Sequence, residues 1–316
     1  MNKIISITLS ILMIASTMIL CVGAVNDQDL KMKPISMTVY DPETGEETQE
    51  IYYFNSSNTQ ASSCSHEASS LIDANKSVNT YSSLNNEFIN AGLTKVTNTT
   101  QLPYSAIGQY VIPVTQEYST AFMISNNVAA TAAHVLYDRE NHKWKKSGNF
   151  YPGKNGLGIS NNPFGYAYSR KWAVCTEYIN SDPKKCACNY DWGAVVLSES
   201  IGNKCGKLSI SNLQPYQITL SSSAITSGYP QSSSSLLINY YQYKKDVSIK
   251  SASESVIYAN GHSKPGQSGS PLLINNSVCG ILSSSYSRDD GSKETHYAKI
   301  GESAYYYLTQ FIAENA

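Results

Sequence analysis

Three short stretches carry residue types that can act together on a carbonyl group: Gly266-Gln267-Ser268-Gly269-Ser270-Pro271, Thr131-Ala132-Ala133-His134 and Asp191-Trp192-Gly193-Ala194. A serine hydroxyl is a weak nucleophile until an imidazole takes its proton, and the imidazole works best when a carboxylate fixes its tautomer. The chain supplies these groups in the order His134, Asp191, Ser268. The oxyanion that forms on an attacked carbonyl is stabilised by backbone N–H groups aimed at one point. A glycine-rich turn can aim them, because glycine takes backbone angles that other residues resist. The reading is acyl transfer: Ser268 attacks, His134 is base and then acid, Asp191 orients His134, and the amides of Gly266 and Ser268 form the oxyanion hole.

The segments that must position these groups read as strands. Gly108–Pro113, Ala121–Ile124 and Val128–Thr131 are short and rich in β-formers, with a turn at Asn126-Asn127. Ala194–Leu197 is expected to be a buried strand directly after Asp191. Ile218–Leu220, Leu236–Tyr240 and Val256–Tyr258 are further strand expectations. Pro271–Ile274 and Val278–Leu282 are joined through Asn275-Asn276, a hairpin turn. Many short strands with frequent turns indicate an all-β barrel or sandwich. One helix is expected at the end, about 303–314, capped by Ser303 with Tyr305, Leu308, Phe311 and Ile312 on one face. No repeat, P-loop or dinucleotide fingerprint is present.

On these residues the sequence resembles the chymotrypsin-like serine proteases, and more closely the bacterial glutamyl endopeptidases. The likeness runs from Val96-Thr97-Asn98-Thr99-Thr100 and Pro103-Tyr104-Ser105-Ala106-Ile107 through Ala130–His134. It continues through Tyr151-Pro152-Gly153-Lys154-Asn155-Gly156, Tyr190–Val195 and Ser227-Gly228-Tyr229-Pro230 to the Ser268 turn. It implies two antiparallel six-stranded β-barrels of the trypsin/chymotrypsin-like kind, about 96–200 and 201–302, with the triad at their seam. It also implies a serine endopeptidase acting on polypeptides through an acyl-enzyme, with no cofactor and no metal. Two rivals carry less. A catalytically silent binding homologue would not need all three residues. An α/β-hydrolase esterase wants glycine where Ser270 stands, and its Asp and His follow the serine.

The resemblance also frames specificity. A protease that cuts after Glu must neutralise a carboxylate in its S1 pocket, and a histidine with hydroxyl donors can do this. In the similar family such a histidine lies on the strand after the nucleophile; here Leu282 stands there, followed by Ser283-Ser284-Ser285. His262 falls where these enzymes place the base of the pocket, Ser263 matches a hydroxyl position of the acid-specific family, and His296 precedes the strand expected to form the far wall. One reading has His262, Ser263 and His296 rebuilding an acid-binding pocket; the other has Leu282 making it apolar. Ser283 and Ser285 are expected to offer backbone groups to an extended substrate.

The remainder concerns export and processing. Lys3 followed by the apolar run Ile4–Val22 and Gly23-Ala24 reads as a secretory signal peptide, 1–24, with a membrane anchor as the alternative. Residues 25–95 are rich in turn formers and read as a pro-segment able to inhibit the enzyme, or as a plain linker; cuts at Lys76-Ser77 or Lys95-Val96 would free the protease, 96–316. Net charge is −1 and charged residues make up 15%, which leaves no nucleic-acid footprint; a secreted monomer is expected. Of seven cysteines, Cys21 lies in the leader and Cys64 in the pro-segment. Cys175, Cys186, Cys188, Cys205 and Cys279 remain, so one is free or pairs with Cys64. Export favours disulfides, and Cys186-Ala187-Cys188 lacks the spacing of a zinc knuckle. Val135 stands where many members of the similar family carry a cysteine. His66 and His142 read as solvated.

Overall fold

Runs of β-branched and aromatic residues between turn formers become strands along most of the chain. The computed structural model describes residues 32–55, 81–221, 223–232, 238–288 and 290–315. The leader, Cys64, His66, the Lys76-Ser77 cut and residues 236–237 of the 236–240 strand expectation lie outside them. The described part of that stretch, 238–240, is not a strand; the Asn239 side chain donates to the Pro230 and Tyr241 carbonyls there instead.

Two strands, β1 (Met32–Tyr40) and β2 (Glu47–Asn55), open the described chain, followed by helix α1 (Tyr81–Asn90) and the short β3 (Thr94–Lys95). The first barrel then forms from β4 (Ile107–Ile112), β5 (Glu117–Met123), β6 (Val128–Thr131), β9 (Asn149–Pro152), β10 (Ala167–Cys175) and β11 (Gly193–Leu197). The order is β11-β6-β5-β4-β9-β10, and pairing of β10 with β11 closes it. Helix α2 (Ala133–Leu136) and the hairpin β7 (Tyr137–Asp138) and β8 (Lys143–Trp144) leave β6 on one side. Tyr110, Phe122, Phe150 and Trp172 fill the interior and are fully buried.

The second sheet uses β12 (Ser209–Ile210), β13 (Ala224–Gly228), β14 (Tyr243–Asp246), β15 (Ile249–Ala252), β16 (Val256–Asn260), β17 (Pro271–Ile274), β18 (Ser277–Ser287) and β19 (Lys293–Lys299). Its order is β15-β16-β19-β18-β17-β13-β14-β3, with β12 beside β18. The all-β, two-sheet expectation holds, but the second unit is a curled half-barrel: among the described residues no pairing joins β15 to β3. Asn275 and Asn276 both take positive φ, 50° and 63°, as a tight hairpin turn requires.

Three further local expectations are revised. Ile218–Leu220 is not a strand: Pro215–Thr219 forms a helical turn. Pro215 suits a first helical position, and the Gln217 side chain accepts the Gln214 N–H at 2.8 Å. The terminal helix α3 spans Glu302–Asn315 and buries Ala304, Tyr307, Leu308 and Phe311, a face rotated from the expected one. It starts before Ser303, with the Tyr305 N–H bonded to Gly301 O at 2.8 Å.

The third revision concerns residues 32–55, which read as turn-rich. They form a hairpin whose first strand pairs with β10, Met37 opposite Cys175 and Tyr40 opposite Trp172. Ile35, Met37, Val39 and Phe54 join the core of the first barrel; each such burial is worth about 1.5–3 kcal/mol. Tyr40 stacks on Trp144 at 4.9 Å, and Phe54 meets Tyr306 of α3 at 5.4 Å. Helix α1 is anchored likewise: Phe88 is fully buried against Leu93 and Tyr243. Lys95 pairs with Tyr243, and the Val96 N–H reaches Gln242 O at 2.9 Å, so the Lys95-Val96 bond sits within paired backbone. No described helix is long and apolar enough to cross a membrane.

Candidate active site

The sheet brings two of the three chemical groups together by register. β6 and β11 are neighbours with Thr131 opposite Gly193, so the chain leaving β6 and the chain entering β11 meet at one end of the barrel. His134 sits on α2 just after β6, and Asp191 just before β11. The His134 Nδ1 and Asp191 Oδ2 are 2.8 Å apart, and the His134 backbone N–H donates to Asp191 Oδ1 at 2.9 Å. Asp191 is almost fully covered, whereas a third of the His134 side chain is exposed.

The carboxylate has a further partner. Ser283 Oγ donates to Asp191 Oδ2 at 2.5 Å. The register between β18 and β19 shifts between Leu282 and Ser284, so Ser283 is the extra residue of a β-bulge. A bulge re-aims one side chain without breaking the sheet, and here it turns Ser283 towards Asp191. Burial alone would raise the Asp191 pKa, but the charge of His134, its hydrogen bond and that of Ser283 outweigh it and hold the carboxyl below its ordinary value. Burial likewise disfavours the His134 imidazolium, yet the charge and hydrogen bond of Asp191 win and raise the His134 pKa.

The serine turn is fixed against the first barrel. The Thr120 N–H donates to Ser268 O at 2.9 Å, and Thr120 Oγ1 donates to Gly266 O at 2.9 Å. Gly269 has φ +84°, and a Cβ there would lie 2.2 Å from Thr131 Oγ1 and 3.2 Å from Ala132 N. Only glycine permits that approach, which sets the residue after Ser268 against the segment leading into His134. Gly266 also has positive φ, +80°, with Tyr229 O 2.4 Å from a built Cβ. Among the described residues no acceptor takes the N–H of Gly266 or Ser268.

A recess opens beside the turn, lined by Thr226, Lys245, His262, Ser263, Leu282 and Thr295, and bounded by Gln267 next to Ser268. Three of the pocket residues expected from sequence are therefore together: His262, Ser263 and Leu282. His296 is not with them. Thr295 and Tyr297 face the recess, while His296, between them on β19, turns to Glu294 and Cys188. Ser285 contributes its side chain rather than only its backbone: its Oγ bonds Ser263 Oγ at 2.7 Å and Thr295 Oγ1 at 2.9 Å, a chain of hydroxyls along one wall.

Lys245 escaped the sequence reading. Its Nζ donates to Ala91 O at 3.4 Å, and a Cβ on Gly261 would come within 3.0 Å of it. Burial pushes its pKa down, and no carboxylate pairs with it among the described residues. A half-buried ammonium without a counter-charge is costly to keep. The one signal in the sequence is alternation in Tyr243-Lys244-Lys245-Asp246, which gives Lys245 the face of buried Tyr243.

Among the described residues, Cys186 and Cys188 form a disulfide, and Cys175, Cys205 and Cys279 are buried and unpaired with one another.

Comparison with known proteins places this arrangement. A family model for trypsin matches residues 91–306, and the chain belongs to the trypsin family. It is 33% identical over 184 residues to a glutamyl endopeptidase of Bacillus licheniformis, covering 57% of this chain and 52% of that protein. It is 32% identical over 118 residues to an extracellular metalloprotease of Bacillus subtilis, covering 36% of this chain and 35% of the other. The chain thus spans about half or less of the length of these relatives. Among solved structures, a Glu endopeptidase in complex with MPD superposes with TM-score 0.60 at 23% identity, over 70% of this chain and 97% of that one. The protease Anisep from Arthrobacter nicotinovorans follows at TM-score 0.54 and 14% identity, over 70% and 99%. These two likenesses speak to the fold.

Proposed function

We propose that the chain is a secreted serine endopeptidase that cleaves polypeptides through an acyl-enzyme on Ser268 and prefers an acidic residue before the cut. The observation that carries the reaction is the His134–Asp191 pair with the glycine turn of Ser268 packed against the strand that delivers His134. In the first half-reaction His134 takes the Ser268 proton as the oxygen attacks the carbonyl. Asp191 holds the imidazole with Nδ1–H towards the carboxylate, leaving the other nitrogen to accept. The amides of Gly266 and Ser268 receive the oxyanion. His134 then gives the proton to the leaving amine, and water repeats the sequence on the ester. Labelling by a fluorophosphonate probe tests the reading: it is lost in Ser268→Ala and His134→Ala, and labelling that survives in Ser268→Ala overturns it.

The acidic preference is supported by the recess beside the turn. It offers the hydroxyls of Ser263 and Thr295, bridged by that of Ser285, with the ring of His262 and the ammonium of Lys245. A substrate carboxylate would supply the missing counter-charge, and charge-assisted hydrogen bonds are about twice as strong as neutral ones. The glutamyl endopeptidase relative points the same way. Export is supported by the leader-like Lys3–Ala24 and by the extracellular relative. Processing before α1 is favoured over Lys95-Val96, because the latter bond lies within paired backbone.

A further inference from the structure

A cluster of soft ligands lies outside the proposed triad and recess. The Sγ atoms of Cys186 and Cys188 and a ring nitrogen of His296 all lie within 4.8 Å of one another. Cys188 Sγ is 3.6 Å from His296 Nδ1 and 3.2 Å from Ser284 Oγ. The imidazole is held on every other side. Its Nε2 is 2.8 Å from Glu294 Oε1, and the rings of Tyr258 and Tyr286 pack on it at 4.8 and 4.7 Å. Glu294 is itself fixed by Lys250 at 2.6 Å and Arg288 at 2.7 Å.

We propose that, when Cys186 and Cys188 are reduced, their sulfurs and His296 Nδ1 bind a soft divalent cation of the zinc or cadmium kind. The chemistry of the donor set argues for it. A histidine that donates Nε2–H to a carboxylate presents Nδ1 as a lone pair, the tautomer a metal needs, and a carboxylate behind a ligating imidazole is the usual supporting arrangement. Two thiolates with one imidazole suit zinc, and a fourth position stays open for water. A disulfide serving only as a loop clip has no use for an imidazole held in that tautomer and turned to its sulfur.

The disulfide and the metal compete for the same two sulfurs. A phosphine reductant opens the bond, taking oxygen from water to become phosphine oxide and leaving two thiols; cation binding then displaces the two thiol protons. The cluster sits where the chain approaches Asp191 on one side and at Ser284, next to Ser283, on the other, so occupancy ties the approach to the proposed catalytic acid to β18.

The test is cadmium titration of the phosphine-reduced full chain, read by thiolate-to-metal charge-transfer absorption. The expected result is a band in the reduced wild type that is absent from the oxidised protein. It is lost in the double variant Cys186→Ser, Cys188→Ser and retained in the triple variant Cys175→Ser, Cys205→Ser, Cys279→Ser. His296→Gln removes a direct ligand and should weaken binding by at least the about 10–100-fold that losing a partner behind such a ligand costs. A band that survives the double variant, or affinity unchanged in His296→Gln, overturns the site. Should His296→Gln fail to fold, cadmium NMR of the wild type separates a nitrogen-containing donor set from thiolates alone, and thiolates alone would sink the proposal.

Discussion

Ser283 Oγ donates to Asp191 Oδ2 at 2.5 Å, and Ser283 is the residue that a β-bulge adds to β18. The strand bounding the recess is thereby tied to the carboxylate that holds His134. Hydrogen bonds to charged groups are worth about 1.5–3 kcal/mol. Ser283→Ala should therefore lower kcat/KM about 10–100-fold with fluorophosphonate labelling slowed but retained. Full activity in Ser283→Ala would show that the bond only packs the loop.

The His134 pKa is raised by its charged partner despite burial. A general base must be neutral to act, so the acid limb of kcat/KM should have its midpoint above the ordinary histidine value of 6.5. Asp191→Asn should cost about ten-thousand-fold in kcat, because the imidazole loses its tautomer and its charge partner. For stability the sign is opposite. The pair's contribution through His134 is complete below pH 6.5 and fades as pH rises through the raised value. An acid limb at or below 6.5 would contradict the coupling.

Lys245 should set the charge preference at P1. Lys245→Met is expected to cut kcat/KM for a Glu substrate by about 10–100-fold and leave a Leu substrate nearly unchanged. Equal loss on both would reduce Lys245 to a structural role. Fluorophosphonate labelling of the same variant keeps the outcome separate from the triad.

Glu294 offers a stability test. Hydrogen bonds from Lys250, then His296, then Arg288 hold its pKa at about 2, against an ordinary 4.5. A lowered carboxyl stabilises the fold above 4.5, and the contribution is lost as pH falls towards 2. Melting temperature should fall over that window in the wild type and fall less in Glu294→Gln, whose side chain does not titrate.

Phe88 makes α1 part of the protease body. Phe88→Ala empties a fully buried ring site against Leu93 and Tyr243 and should cost about 3–5 kcal/mol in urea unfolding. A cost near zero would mean that α1 is carried along without bearing on stability.

What could be read from the chain follows from how local each signal is. Ser268, His134 and Asp191 stood out because each lies in a short stretch whose neighbours fix its conformation. The Asn275-Asn276 turn was legible for the same reason. The role of Ser283 was not, since a bulge appears only when two strands pair. Lys245 reaches the recess from β14, a strand joined to the serine turn only through the folded sheet, and no spacing rule links them. The β1–β2 hairpin is faint in the sequence although Ile35, Met37 and Val39 alternate as a half-buried strand does, because the acidic stretch 41–46 between the strands belongs to a turn-rich run that reads as a pro-segment.

That hairpin changes what maturation would leave behind. If the chain is cut at Lys76-Ser77, residues 32–55 stay attached through their pairing with β10 and the side chains they bury there. The processed enzyme would then be a two-fragment molecule. It would run as one particle in native sizing and part into a small peptide and a large one only when denatured.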